Sequence, residues 1–302
     1  QVVPGAEIDS TATVKDGKLS GRGSCDVKGS MAAMLLAFER LVKERPAGSA
    51  SVLLACTVDE EFTHKGSSAL PDAEGVAAVD LAIVAEPTRL NLIRSHKGAV
   101  RWKIHAQGVA CHSSSPHLGQ NAIYRMARVI GELQDYAEAL GQARTDPLVG
   151  PGTLSVGRVE GGQSVNIVPD WCTIEVDRRL IPGESPASAP EQVRAWLDQR
   201  LGQVDWLAFD PPWVKMPALD GAASEAWIPL LSDVIAECSG QTPTVGGVPY
   251  GTDAGPLNAR GIPCVVFGPG DIAQAHTKDE FIELDQVRKA VDLYHAIAVG
   301  LG

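Results

Sequence analysis

The chain has 302 residues, of which 44% are hydrophobic and 21% are charged, a composition typical of a globular protein long enough for two domains. Its formal net charge of -11 argues against a nucleic-acid partner or an anionic membrane surface, because both would repel it. No apolar run reaches the roughly 18 to 20 residues that a bilayer span requires, so no membrane segment is predicted.

The cysteines indicate a reducing compartment. Six of them are scattered without a Cys-x-x-Cys pair, which favours reduced thiols and predicts a cytoplasmic protein. The chain also begins Gln1-Val-Val-Pro4 without an initiator Met, and we expect this start to lie inside a domain. The cysteines are Cys25, Cys56, Cys111, Cys172, Cys238 and Cys264.

Residues 1–93 are predicted to form the first part of an α/β domain. Gly29–Glu44 follows a Gly-rich loop and carries large apolar residues at helical spacing, which predicts an amphipathic helix. Ser51–Val58 and Leu81–Ala85 are continuous apolar runs, and these predict buried strands of a mostly parallel sheet.

Residues 94–212 have a different pattern, typical of an inserted α+β domain. Alternating segments predict strands, and two segments with helical spacing separate them. The resulting order is β-α-β-β-α-β, the split pattern of ferredoxin-like domains. The predicted segments are 100–106, 121–140, 153–159, 171–180, 190–201 and 205–209.

Residues 213–302 return to the first pattern. They predict a helix over 224–239, a strand near Thr244, a short helix opened by Gly251–Asp253, a strand at 263–267 and a final helix from about Leu284. The simplest account is one α/β domain, made of residues 1–93 and 213–302, which the antiparallel domain interrupts.

Acidic residues and one histidine follow several of these segments. Asp26 precedes the first predicted helix, Asp59-Glu60-Glu61 follows Val58, and Glu86 follows the run that ends at Ala85. Taken singly, each has an ordinary interpretation: a helix cap for Asp26, a solvated loop for the acidic triplet, a solvated side chain for His276. Several such segment ends together favour a site for zinc or a hard cation.

The motifs resemble, in the same order, those of a family of two-zinc amidohydrolases and exopeptidases. That family includes acetylornithine deacetylase, succinyl-diaminopimelate desuccinylase, aminoacylase and carboxypeptidase G. The resemblance extends from Gly21 to Glu280, nearly the whole chain. Its motifs are Gly21-Arg-Gly-Ser-Cys-Asp-Val-Lys-Gly29, Asp59-Glu60-Glu61, Ala85-Glu-Pro-Thr88, Gly108-Val-Ala-Cys-His112-Ser-Ser, Ser164-Val-Asn-Ile-Val-Pro169, Val176-Asp-Arg-Arg179 and Gln274-Ala-His276.

The resemblance implies a zinc-hydrolase catalytic domain with an inserted lid and dimerisation domain. It implies two zinc ions, for which Co²⁺ or Mn²⁺ can substitute, and a general base, Glu60. Asp26 would bridge the two ions. The other implied ligands are Glu61, Glu86 and His276.

The resemblance also implies a substrate site that includes residues of the inserted domain. His112 is expected to reach across a homodimer into the partner's site and to stabilise the oxyanion. Asn166 and Arg179 are expected to hold the substrate carboxylate, and the family spacing favours Arg179 over Arg178. Thr252, in Tyr250-Gly-Thr-Asp253, is expected to contact substrate.

The implied reaction is metal-dependent hydrolysis of the amide bond of an N-acyl amino acid, closest to the acetylornithine deacetylase branch. A desuccinylase, an aminoacylase, a dipeptidase and a non-catalytic small-molecule-binding relative are the alternatives. A serine hydrolase is disfavoured because the chain has no Gly-x-Ser-x-Gly motif.

The chain departs from the family pattern at one ligand. The family's first zinc ligand is a His upstream of the Gly-rich loop, and no His precedes His64 here, so we expect an N-terminal truncation. The remaining histidines match no motif and are expected to be packed or solvated. They are His64, His105, His117 and His295.

Overall fold

A computed structural model describes residues 11–302, so the prediction about Gln1–Pro4 lies outside the described residues. The chain forms two compact units. The first unit contains the described residues up to Ser95 together with Leu219–Val248 and Thr252–Gly302. The second unit contains His96–Ala218 and Pro249–Gly251.

The helices and strands follow in chain order. The helices are α1 (Gly29–Glu44), α2 (Lys65–Ala69), α3 (Ala122–Ala143), α4 (Ser188–Leu201), α5 (Trp227–Ser239), α6 (Ala254–Asn258) and α7 (Leu284–Gly300). The strands are β1 (Thr13–Lys15), β2 (Lys18–Ser20), β3 (Ala82–Val84), β4 (Leu92–His96), β5 (Gly98–Gln107), β6 (Cys111–His112), β7 (Thr145–Asp146), β8 (Gly150–Pro151), β9 (Thr153–Gly161), β10 (Ile167–Val168), β11 (Trp171–Leu180), β12 (Leu207–Phe209), β13 (Val214–Met216), β14 (Val245–Val248), β15 (Cys264–Val266) and β16 (Phe281–Glu283). None of these helices is long and apolar enough to cross a membrane.

The first unit has a four-stranded sheet in the order β14-β4-β15-β3. β15 is parallel to β3 and antiparallel to β4, so the sheet is mixed. Two antiparallel partners, β1 and β16, flank β2 in a second, three-stranded sheet. The α/β class predicted from the sequence is confirmed.

The predicted helix at Gly29–Glu44 is confirmed as α1, but its buried face differs from the expected one. The helix packs against α7 through small residues, Ala33 and Ala37, which allow a close approach of the two backbones. Met31 and Leu35 lie on the exposed side, although their spacing indicates a core-facing stripe. The spacing of apolar residues therefore predicted the helix correctly, but it did not predict which face of the helix is buried.

The prediction of a buried strand at Ser51–Val58 is wrong. These residues form no strand and are mostly exposed, with Leu53 52% and Val58 70% exposed. A strand needs backbone partners, and within residues 11–302 no strand pairs with this run. The acidic triplet therefore follows an unpaired segment, whereas Glu86 follows β3 as predicted, two residues after Val84.

The second unit has the predicted β-α-β-β-α-β order. Its five-stranded antiparallel sheet follows β12-β5-β11-β9, with β13 also paired to β5. β5 and β11 alternate buried and half-buried residues, so one face forms the core and the other carries polar side chains. α3 and α4 cover the apolar face, where Trp102, Met126 and Leu133 are almost fully buried.

Candidate active site

The Gly-rich loop before α1 is organised by one buried carboxylate, that of Glu280. Its oxygens accept hydrogen bonds from the backbone N–H groups of Gly23 at 2.9 Å, Cys25 at 3.0 Å and Asp26 at 3.1 Å. The guanidinium of Arg22 donates to the same carboxylate at 2.9 Å. These bonds fix the backbone from which the Asp26 side chain projects.

Three of the predicted metal ligands lie together in the first unit. His276 Nε2 is 2.9 Å from Glu61 Oε1 and 3.3 Å from Asp26 Oδ2. One ligand-type atom from each of these residues lies within 4.8 Å of the other two. His276 has a φ of +58°, a left-handed backbone conformation that sets the direction of its ring. Two carboxylates and an imidazole at this spacing form a donor set suited to zinc.

The acidic triplet lies in a tight turn. Asp59 O accepts hydrogen bonds from the N–H groups of Phe62, Thr63 and His64, and Gly66 N donates to Val58 O at 3.1 Å. Asp59 and His64, at the two ends of the turn, both have positive φ. Glu61 points to His276, whereas Glu60 lies on the side of His64, whose Nδ1 is 3.9 Å from Glu60 Oε1. Adjacent acids therefore have different surroundings.

Glu60 has the environment of a proton acceptor. Burial, with repulsion from Asp253, Glu61 and Asp26, raises the pKa of Glu60 to about 7, and His64 partly offsets this rise. A carboxylate with such a pKa accepts and releases a proton near neutral pH. The structure thus separates a carboxylate suited to proton transfer from its neighbour beside His276.

Glu86 is buried, with 7% of its surface exposed. Burial, followed by the charges of Glu60, Asp26 and other nearby carboxylates, raises the pKa of Glu86 well above its usual range. Cations among these carboxylates would offset the free-energy cost of burying their negative charges and the repulsion between them. The surplus of acidic groups therefore fits divalent metal ions, and Asp26, Glu61, His276 and Glu86 are among the groups that could donate to them.

Three other predicted site residues, His112, Asn166 and Arg179, are in the second unit. The antiparallel pairing of β6 with β10 places His112 opposite Ile167, and Ser113 N donates to Asn166 O at 3.0 Å, so His112 and Asn166 are neighbours. Both are exposed. Arg179 lies on β11, where its Nε is 2.7 Å from Asp177 Oδ1.

Arg178 and Thr252 are both fully buried. The guanidinium of Arg178 is 2.6 Å from Glu184, which leaves Arg179 as the more accessible of the two neighbouring arginines. The hydroxyl of Thr252 accepts a hydrogen bond from Ala254 N at 3.1 Å, at the start of α6. Thr252 is thus placed to stabilise that helix end, and its contact with substrate stays a prediction.

Two features of the site were not predicted from the sequence. Glu280 was not recognised as the organiser of the Gly-rich loop, 254 residues before it, because no local pattern links the two segments. His64 was assigned to the packed or solvated histidines, yet it is buried beside Glu60 and contacts Asp253. Its position four residues after Glu60 was the one available signal.

Comparison with known proteins places the chain in a family. The model of peptidase family M20/M25/M40 matches residues 2–299. The chain belongs to this family. The family resemblance and the metal-dependent amidohydrolase class predicted from the motifs are thereby confirmed.

Individual relatives carry several activities. The chain is 33% identical over 292 residues to the acetylornithine deacetylase of Myxococcus xanthus, covering 95% of this chain and 73% of that protein. It is 30% identical over 299 residues to the succinyl-diaminopimelate desuccinylase of Cupriavidus taiwanensis, covering 94% and 74%. These relatives share the family with this chain but differ in substrate.

Solved structures support the fold. The aminopeptidase PepT of Bacillus cereus has a TM-score of 0.73 at 22% identity, covering 99% of this chain and 78% of that one. A tripeptidase of Staphylococcus aureus has a TM-score of 0.75 at 22% identity, covering 99% and 77%. At this identity the likeness establishes the fold alone.

Proposed function

We propose that this chain hydrolyses the amide bond of an N-acyl amino acid, with acetylornithine or a similar N-acetyl amino acid as substrate. The observation that carries the proposal is the pair of adjacent acids with different partners. Glu61 joins Asp26 and His276 in a group suited to metal, while Glu60 lies outside that group with a raised pKa. Amide hydrolysis needs both functions side by side.

We propose two zinc ions as the cofactor, which Asp26, Glu61, Glu86 and His276 would hold. When bound, the ions would activate water and polarise the amide carbonyl. Glu60 takes the proton of the attacking water and passes it to the nitrogen of the leaving amine, which departs as a neutral amine. Glu60 must bind no metal to do this, and its place beside His64 suits that role.

The substrate carboxylate is assigned to Arg179 and Asn166. A guanidinium binds a carboxylate through two parallel hydrogen bonds, which a lysine cannot reproduce. Arg179 is ion-paired with Asp177, so the substrate would compete with that pair for the guanidinium. His112, exposed on β6, would donate a hydrogen bond to the oxyanion that forms at the scissile carbonyl.

We further propose that the enzyme is a cytoplasmic homodimer and that His112 serves the partner's site. β9 forms an edge of the sheet in the second unit, and Val159 on this strand is 59% exposed. Val165, in the turn after β9, is 99% exposed. An edge strand with exposed apolar residues favours pairing with another chain. The six free cysteines support a reducing compartment.

The similarity to a succinyl-diaminopimelate desuccinylase makes that activity the second candidate. A panel of N-acetylornithine, N-succinyl-diaminopimelate, N-acetylmethionine and a dipeptide separates the candidates. The enzyme should be assayed with any residues that precede Gln1 in the encoded protein, before and after zinc chelation. We expect N-acetylornithine to be cleaved fastest, with loss on chelation and recovery on zinc addition. Preference for the succinyl substrate would select the second candidate.

Three other results would contradict the proposal. Cleavage that survives complete metal removal would exclude the metal-dependent mechanism. A protein that binds zinc at the expected ligands but cleaves no member of the panel would contradict the proposed substrate class. A protein that binds no zinc would favour a non-catalytic, small-molecule-binding relative.

A further inference from the structure

A buried pair, His64 and Asp253, lies behind Glu60. His64 Nδ1 is 3.2 Å from Asp253 Oδ1, and the other carboxylate oxygen of Asp253 accepts a hydrogen bond from Thr57 Oγ1 at 2.6 Å. His64 is 9% exposed and Asp253 is 7% exposed. Because a carboxylate only accepts hydrogen bonds, Nδ1 of His64 is the donor in this pair.

Asp253 is held as a carboxylate in this position. Burial alone would raise the pKa of Asp253, but hydrogen bonds from His64, Ser67 and Thr57 outweigh burial and lower it. A buried charge with several hydrogen-bond partners makes a rigid anchor, since moving any partner leaves the charge unsatisfied. Asp253 lies at the N-terminal end of α6, 189 residues from His64 in the chain.

The anchor acts on the turn that carries both catalytic-site acids. His64 ends this turn, and its own N–H donates to Asp59 O at 2.8 Å. A second side-chain link of the turn, from Glu61 to His276, involves two proposed metal ligands and would be rearranged by metal. The link from His64 to Asp253 involves no proposed ligand, so metal at the proposed ligands does not compete for it.

We propose that His64 and Asp253 are positioning residues that tie the Asp59–His64 turn to the start of α6 and so hold Glu60 in place for proton transfer. This inference rests on the proposed function. His64 Nδ1 is 3.9 Å from Glu60 Oε1, beyond a normal hydrogen bond, so His64 places Glu60 through the backbone of the turn. Small displacements of a general base reduce the rate strongly.

Asp253→Ala is the primary test because it leaves the sequence of the turn unchanged. We expect kcat on the best panel substrate to fall about 10- to 100-fold, with KM changed by less than about threefold. We also expect amide hydrogen exchange in residues 59–66 to become about tenfold faster, because the turn loses its anchor. The matched control is Asp210→Ala, which removes a His–Asp pair in the second unit, where His105 Nε2 is 3.0 Å from Asp210.

Two substitutions of His64 form a second, independent test. His64 has a φ of +56°, which Gly and Asn both tolerate. His64→Gly removes the donor, whereas His64→Asn places an amide donor near the position of Nδ1. We expect His64→Gly to lose about 10- to 100-fold in kcat and His64→Asn to stay within about threefold of the wild type. This comparison decides the question if Asp253→Ala does not fold.

Unchanged exchange in residues 59–66 of Asp253→Ala would overturn the positioning role, as would wild-type kcat in that variant. Equal losses in His64→Asn and His64→Gly would also overturn it, because the retained donor would then have no effect. If the wild-type enzyme cleaves no panel substrate, the proposed function fails. In that case the exchange measurement alone supports or overturns the link between the turn and α6.

Discussion

Glu280 shows how a single buried side chain fixes the geometry of the site. It is 4% exposed, and its two oxygens accept four hydrogen bonds from the loop that contains Asp26. Three of these come from backbone N–H groups, which would otherwise be buried without a partner. Glu280 therefore supports the position of Asp26 without being a proposed ligand.

Glu280→Gln should destabilise the protein by about 2 to 5 kcal/mol, because a carboxamide offers one acceptor oxygen and turns an NH₂ group towards other donors. Urea unfolding followed by circular dichroism measures the change. Glu283→Gln, at an exposed position nearby, is the control and should have a free energy of unfolding within about 0.5 kcal/mol of the wild type. A loss below about 1 kcal/mol for Glu280→Gln would contradict the assigned role.

At the scale of elements, the segment from β15 to His276 is shaped by Asp271. Asp271 Oδ1 accepts a hydrogen bond from Ala273 N at 3.0 Å and so caps the short 3₁₀ turn that follows. Its other oxygen is ion-paired with Arg89. The hydrogen bond from Arg89 lowers the pKa of Asp271 despite partial burial. The ionised form is thus the one that the fold stabilises.

The lowered pKa predicts a pH dependence. The contribution of Asp271 is fully present above the unfolded pKa of about 3.9 and is lost as the pH falls through the lower folded value. Asp271→Asn should therefore lower the stability by less than about 1 kcal/mol at pH 7, since the pair is partly exposed. The difference from the wild type should shrink between pH 5 and pH 3. If the difference in unfolding free energy between Asp271→Asn and the wild type does not change with pH, the ion pair is excluded as its source. The same holds if Asp279→Asn, at an exposed position, gives an equal difference.

Periodicity predicted most elements. α1, the β-α-β-β-α-β order of the second unit, and α7 occur where the sequence patterns indicate them, because those patterns record which residues face a core. The strand predicted at Ser51–Val58 does not form, and the sequence could not show this because an apolar run does not reveal whether a strand pairs with it. The contact between His64 and Asp253 was also unpredictable, since their separation of 189 residues carries no local signal.

At the scale of the whole molecule, the order of the motifs predicted the family from the sequence. Asp26, Glu61 and His276 come from distant parts of the chain and lie together, as a shared metal site requires. Each motif taken singly could be explained by local structure, such as a helix cap or a solvated loop. The occurrence of all the motifs in one order could not be explained in this way, and it indicated the family. Substrate choice was not predictable in this way, because it depends on side chains that no motif specifies.

The proposed homodimer predicts complementation between two inactive variants. Glu60→Gln removes the base, and His112→Ala removes the oxyanion donor. If His112 acts in the partner's site, a heterodimer of the two variants has one site with both groups intact. Mixed, verified heterodimers should recover up to about half of the activity per dimer. Absence of any recovery would contradict action in the partner's site.

The most direct test of the account is Glu60→Gln in the enzyme that cleaves the panel substrate, with turnover and bound zinc measured on the same sample. We predict that kcat falls about 10²- to 10⁴-fold while the zinc content stays unchanged, because Glu60 transfers a proton and binds no metal. Normal turnover, or loss of zinc together with turnover, would contradict the division of roles between Glu60 and Glu61.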